Sequence, residues 1–223
     1  MGTRMGSRRK NYLKLLGIPV LAHTLAAFES AKNVESVILV APAADMEFCR
    51  KNIVEKYRLK KVLKIIAGGK ERQDSVARGL AAIEITPDII LVHDGARPLV
   101  TPELIEAVIK AAADYGGAAA AVPVKDTIKE TRGAFIKKTV PREKIWAVQT
   151  PQAFRTALLI KARAAAVKSG FTGTDESSLV ERLNKKVALV PGLYENIKIT
   201  TPEDLIAAKA FFEKRMGRGK RGK

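Results

Sequence analysis

The sequence predicts an α/β fold: a mostly parallel sheet with helices on both faces and a projecting β-arm. Three observations lead there. Short aliphatic runs rich in β-branched residues alternate with stretches of helical length and pattern. Two of those runs end in Gly-Gly or Asp-Gly, as strands do when they feed a tight turn into a helix. One segment, residues 125–150, breaks the alternation and reads as a hairpin.

The elements follow in order. The opening MGTRMGSRRKNYLKL is glycine-dotted and basic, and reads as a turn ahead of a helix over 19–32. No strand precedes it, although a doubly wound sheet places one there. An upstream strand and turn of about 12 to 16 residues is therefore expected. Residues 35–42, ESVILVAP, form the first visible strand, and 61–69, KVLKIIAGG, the second. Residues 87–95, PDIILVHDG, are the third, and 117–124, GAAAAVPV, a fourth built from small residues. Helices are expected between them over 43–57, 71–83 and 101–115. Thr101-Pro102-Glu103 is a strong helix start: a threonine N-cap, a proline at the first helical position and an acid in the first turn. Thr201-Pro202-Glu203-Asp204 repeats the device before a last helix running to about Arg215.

Residues 125–150 alternate polar and apolar, with a turn at Thr131-Arg132-Gly133. This arm has too little apolar content to fold alone, which points to a dimer; an arm folded back on its own domain is the alternative. The chain thus divides into 1–124, the arm 125–150, a remainder 151–213 and a basic tail 214–223 read as disordered.

Composition removes several classes. Cys49 is the only cysteine, so no disulfide forms within the chain and no cysteine-based metal site exists. His23 and His93 are the only histidines, which excludes a multi-histidine centre. No apolar run approaches the roughly 18 to 20 residues that span a bilayer, and no apolar stretch directly follows the basic opening as in a leader. A reducing, cytoplasmic setting is expected. The net charge of +17 raises nucleic-acid binding. Eleven of the basic residues, however, lie in the first 14 and last ten positions, and aromatics make up only 5%. No strand carries the aromatics of a stacking platform.

Four stretches carry candidate chemistry. Gly2-Thr3-Arg4-Met5-Gly6-Ser7 with Lys10 has the make-up of a phosphate loop, whose glycines let backbone N–H groups approach phosphate oxygens. Gly68 and Gly69 end a strand, and Ser75 sits on the first turns of the next helix; an ordinary turn is the plainer alternative. Asp94 follows an apolar strand, with Gly95 for the turn and Arg97 close by. It is a natural Mg²⁺ or ribose ligand, or else a turn-capping aspartate. His93 reads as structural. Lys198 lies between Ile197 and Ile199 on what looks like a short strand, and contacts phosphate if it shares an edge with Asp94.

Taken together, GGKERQDSV, HDGARP, VPVKDTIK, QTPQAF, TDESSLVE and NIKITTPEDL resemble the 2-C-methyl-D-erythritol 4-phosphate cytidylyltransferases of the non-mevalonate isoprenoid pathway. The resemblance covers Gly2 to about Phe212. It implies a Rossmann-like nucleotidyltransferase fold, with 1–124 as its nucleotide-binding part. It also implies CTP as co-substrate, Mg²⁺, and a homodimer joined by the arm. By the same resemblance Arg4, Lys10, Arg142 and Lys198 are catalytic. Gly2, Gly68, Gly69, Ser75, Asp94 and Gly95 bind nucleotide, and Asp94 associates with the metal. Arg97, Thr127, Arg142, Thr150 and Lys198 contact substrate. The sequence departs from that pattern in lacking the first strand and the Pro-Ala-Ala-Gly of its loop, and in carrying Asn11 and Lys70 where glutamine and an acid are usual. The rival readings are a ribitol-5-phosphate cytidylyltransferase, a catalytically impaired relative, and a basic nucleic-acid-binding protein.

Overall fold

The structure is a computed structural model and describes residues 10–220. After a 3₁₀ turn at Lys10–Tyr12, β1 (Lys14–Leu15) and β2 (Ile18–Pro19) pair antiparallel through a turn in which Leu16 and Gly17 have positive φ. This small hairpin delivers α1 (Val20–Ser30). Then come β3 (Val37–Ala41), α2 (Met46–Cys49) continuing into a π-helical Arg50–Glu55, β4 (Val62–Ala67) and α3 (Arg72–Ala81). They are followed by β5 (Ile89–Val92), α4 (Pro102–Tyr115) and β6 (Gly117–Pro123). The arm is β7 (Ile128–Arg132) and β8 (Phe135–Val140). The chain returns as β9 (Trp146–Arg155), α5 (Thr156–Lys168), α6 (Glu176–Glu181), β10 (Ala188–Pro191) and α7 (Pro202–Lys220).

Local chemistry explains the helix ends. The Thr101 hydroxyl accepts from the Leu104 N–H at 3.3 Å, and Pro102 begins α4. Gly116, at φ 89°, ends it in the left-handed region that glycine enters without a Cβ clash. At α7 the Thr201 hydroxyl accepts from Asp204 N–H, while the Asp204 carboxylate accepts from Thr200 and Thr201 N–H, a reciprocal cap. α7 continues past Arg215, whose Nε is held 3.0 Å from the Glu195 carboxylate.

One four-stranded sheet has the order β10-β6-β9-β5. β10 runs parallel to β6, but β9 is antiparallel to both β6 and β5. The expectation of a mostly parallel sheet holds in part: β10, β6 and β5 run in one direction and β9 alone runs against them, which makes the sheet mixed. The reason is the arm. The chain leaves β6, turns back through a hairpin with no crossover helix, and so re-enters beside β6 in the opposite direction. β3 and β4 form a separate parallel pair. Among the described residues no strand joins that pair to β5. α1 spans the two instead, with Leu21 and Leu25 packed near Leu39, and Phe28 in the cluster that includes Val37, Ile89 and Leu91.

Helices cover both faces of the larger sheet, as expected. Ile89 and Leu91 pack with α1 and α4, whereas Ile90 and Val92 pack with α5 and α6. This is the two-residue alternation of a strand buried on both sides. β6 lies between the layers, and Ala118, Ala119, Ala120 and Ala121 are all essentially inaccessible. Among the described residues no helix is long and apolar enough to cross a membrane.

Candidate active site

The elements meet around a cleft of about 270 Å³. The loop after β5 brings Asp94 and Arg97 to it, and β9 supplies Gln149, Thr150 and Gln152. The first residue of α3 is Arg72, the approach to α6 carries Thr174 and Asp175, and the segment after β10 supplies Lys198. Lys198 does not lie on a strand, contrary to the sequence reading. That segment makes one backbone hydrogen bond across, Ile199 N–H to Ala96 C=O at 2.8 Å, rather than a ladder. Buried Ile199 and partly buried Ile197 nevertheless anchor it, leaving Lys198 between them to border the cleft.

Asp94 is the electrostatic centre. Its Oδ2 lies 3.1 Å from Lys198 Nζ and 3.3 Å from Arg97 Nε, and its Oδ1 lies 3.6 Å from Arg72 Nε. Burial by itself would raise this carboxyl, but Lys198, Arg97 and Arg72 outweigh it and hold the group down to about 2. Asp94 N–H donates to the Thr150 hydroxyl at 3.0 Å. Arg97 Nη1 donates to the Asn196 carbonyl at 2.9 Å.

A buried amide network fixes the surroundings. Asn196, fully buried, donates to Gln149 Oε1 and to the Thr150 carbonyl at 3.1 and 2.9 Å. Gln152 donates to Asp175 Oδ2 at 2.7 Å and accepts from Ser177 N–H. Asp175 also caps α6 by accepting from Ser178 N–H. Arg72 places both Nη atoms on the carboxylate of buried Glu176, at 2.8 and 2.7 Å.

His93 is enclosed, with its ring 5.1 Å from that of Phe28 and its Nε2 donating to the Arg97 carbonyl at 3.4 Å. Burial pushes it down to about 4, so it is neutral at pH 7. This agrees with a structural rather than a basic role.

Of the residues expected from sequence, Asp94, Arg97, Thr150 and Lys198 come together in the cleft. Gly95 adjoins it, its carbonyl accepting from the Thr24 hydroxyl at 3.0 Å. Gly68, Gly69 and Ser75 form the turn before and into α3. Gly68 N–H reaches the Ala41 carbonyl, and Gly69 N–H reaches the Ser75 hydroxyl at 3.1 Å. Arg72 ties this turn to Asp94. Thr127 and Arg142 are exposed at the root of the arm, where Arg142 donates to the Lys125 carbonyl, and neither lines the cleft within one chain. Gly2, Arg4 and the Lys10 side chain lie outside the described residues. Arg72, Gln149, Gln152, Thr174, Asp175 and Glu176 were not singled out, although each sits inside a quoted motif.

An α/β sheet with a Gly-Gly turn and a cleft of converging cations around one carboxylate is the architecture of a nucleotidyltransferase domain. Solved structures agree. The chain is similar to 4-diphosphocytidyl-2C-methyl-D-erythritol synthase from Anaerococcus prevotii, with a TM-score of 0.84 and 33% identity over 94% of this chain and 95% of that one. It is also similar to the Thermus thermophilus 2-C-methyl-D-erythritol 4-phosphate cytidylyltransferase, with a TM-score of 0.78 and 39% identity over 92% and 94%. The family model for 2-C-methyl-D-erythritol 4-phosphate cytidylyltransferase matches residues 1–214. A relative of that name from Pelotomaculum thermopropionicum is 48% identical over 97% of this chain and 92% of its own length. The chain belongs to the 2-C-methyl-D-erythritol 4-phosphate cytidylyltransferase family.

Proposed function

We propose that this chain transfers a cytidylyl group from CTP to 2-C-methyl-D-erythritol 4-phosphate, giving 4-diphosphocytidyl-2-C-methyl-D-erythritol and pyrophosphate. The observation that carries this reading is the convergence of Lys198, Arg97 and Arg72 on Asp94 in the cleft of a chain of this family.

An oxygen of the substrate phosphate attacks the α-phosphorus in line. The new P–O bond forms as the bond to the β-phosphate breaks, and pyrophosphate leaves with the electron pair. The attacking phosphate is already an anion at neutral pH, so no side chain has to remove a proton. What remains is positioning and charge stabilisation. Lys198 and Arg97 turn from Asp94 to the substrate phosphate, with Thr150 beside them. Gly68, Gly69, Ser75 and Gly95 approach the nucleotide. Gly2, Arg4 and Lys10 serve the triphosphate and the charge at the α-phosphorus.

Mg²⁺ is the expected cofactor, and the donor set fits it. Among the described residues there is no cluster of three or more His, Cys, Asp or Glu. Asp94 and Asp175 both border the cleft, however, and Mg²⁺ is typically held by one or two carboxylates together with substrate phosphates. Asp94 would hold it, and the ion, when bound, would offset triphosphate charge. The arm supports a homodimer, and the single cysteine, Cys49, is in keeping with the cytoplasm. Phe135 is 79% exposed and Ile136 65%, an apolar tip that a second chain would cover, bringing Thr127 and Arg142 to the partner's cleft.

The test is pyrophosphate release from CTP and Mg²⁺ with either methylerythritol phosphate or ribitol 5-phosphate, and light scattering for the dimer. Turnover with ribitol phosphate alone would overturn the substrate assignment.

A further inference from the structure

We infer that Glu176 is a positioning residue that holds Arg72 back from Asp94, keeping one carboxylate oxygen of Asp94 open for a divalent cation. This rests on the reading of Asp94 as the metal-associated carboxylate.

The two oxygens of Asp94 are unequal. Oδ2 is taken by Arg97 and Lys198 at 3.3 and 3.1 Å. Among the described residues, Oδ1 has only the Arg72 Nε, at 3.6 Å, which is too long for a hydrogen bond. Arg72 is close enough to close that gap, and an arginine fork grips carboxylates with two parallel hydrogen bonds. It does not grip Asp94 because its other nitrogens are already committed. Nη1 and Nη2 lie 2.8 and 2.7 Å from the two oxygens of Glu176.

Glu176 is well placed for this. It is 1% exposed, and it opens α6 directly after the Asp175 cap. That cap is itself fixed by Gln152 of β9 and Ser178. α3 is fixed to the same region by Gln73, which donates to the Phe171 carbonyl and accepts from Gly173 N–H. The guanidinium therefore spans two anchored helix starts, with its shorter reach toward Glu176.

Burying a carboxylate and a guanidinium together is no general route to stability, since apolar replacements of such pairs are often neutral. Removing one partner is different. With Glu176 neutral, a half-buried guanidinium is left without its counter-ion, and the nearest remaining carboxylate oxygen is Asp94 Oδ1. Arg72 then completes a clamp on Asp94, and all of that carboxylate is occupied by protein cations.

The test measures Mn²⁺ binding to the full chain in the presence of CTP, by loss of the free-ion electron paramagnetic resonance signal. Wild type is compared with Asp94→Asn, Glu176→Gln and the pair Glu176→Gln/Arg72→Met. Glu176→Gln is expected to weaken Mn²⁺ binding by about tenfold or more, the range seen when a group that orients a metal ligand is changed. Adding Arg72→Met removes the cation that would close on Asp94, and should recover most of that loss. A merely structural Glu176 would give no such recovery. Unchanged Mn²⁺ affinity in Glu176→Gln, or a double variant as weak as the single, overturns the inference. If Glu176→Gln does not fold by circular dichroism, Glu176→Asp takes its place, withdrawing the carboxylate from Arg72 while keeping its charge; unchanged affinity there overturns the inference equally. Unchanged binding in Asp94→Asn would overturn the metal assignment of Asp94 itself, and the inference with it.

Discussion

Asp94→Asn should make the stability of this protein less dependent on pH, by an amount set by the three cations around the carboxylate. In the folded chain the Asp94 carboxyl is held near 2 against an ordinary 3.8, although burial opposes that shift. A depressed carboxyl stabilises the fold above its unfolded value and loses that contribution as pH falls from about 4 toward 2. A difference of just under two pK units corresponds to roughly 2 to 3 kcal/mol. Asparagine resembles the protonated acid in shape and charge. The wild-type advantage over Asp94→Asn should therefore be about 2 kcal/mol larger at pH 6–7 than near pH 2. For a domain of this length that is about 5 to 10 °C in Tm at neutral pH. The assay is urea unfolding of both proteins across that pH range at low salt, where screening is weakest. A stability gap that does not change with pH would refute the electrostatic account of Asp94, and so would an asparagine variant that is the more stable at pH 7.

Three further outcomes are expected. Lys198→Met should lower turnover by about 10²-fold with the fold intact, because in the proposed mechanism its charge moves from Asp94 to the reacting phosphates; near-normal turnover would remove it from that mechanism. Thr101→Ala deletes the cap of α4 and should cost about 1 kcal/mol, or roughly 2 to 4 °C in Tm, with no effect on KM; an unchanged melting temperature would show that the cap hydrogen bond carries no stability. Mixing inactive Arg142→Ala and Lys10→Ala chains should restore activity through hybrid dimers if the arm completes the partner's site. Absence of recovery after demonstrated subunit exchange would assign both residues to one chain.

The fold was legible wherever periodicity and capping chemistry act locally. Residues 35–42, 61–69, 87–95 and 117–124 contain β3, β4, β5 and β6, and Thr101-Pro102 starts α4 as its residue types require. What escaped is set by topology. β9 is continuous from Trp146 to Arg155, whereas the sequence pattern places its first residues in the arm and marks no element over the rest. Its sequence, WAVQTPQAFR, contains a proline and two glutamines that argue against a central strand. Those polar residues are tolerated because Gln149 and Gln152, themselves buried, find hydrogen-bond partners in Leu193, Asp175 and Ser177, contacts between segments far apart in sequence. The β1–β2 hairpin escaped for the opposite reason: two-residue strands are too short to show alternation.

The site divides along the same line. Asp94 and Arg97 were visible because each sits where a strand ends in a glycine turn, a position with few structural uses for a charge. Glu176 was not visible. In sequence it is the ordinary acid in the first turn of a capped helix, where any surface helix carries one. Only the fold shows that this helix start is buried against α3, 104 positions away from its arginine in the chain, and that Glu176 faces a guanidinium rather than water. A helix-start glutamate left in solvent is replaceable by many residues. One that occupies both arms of Arg72 decides which carboxylate that arginine serves and, on the inference drawn above, how much of Asp94 is left for a divalent cation.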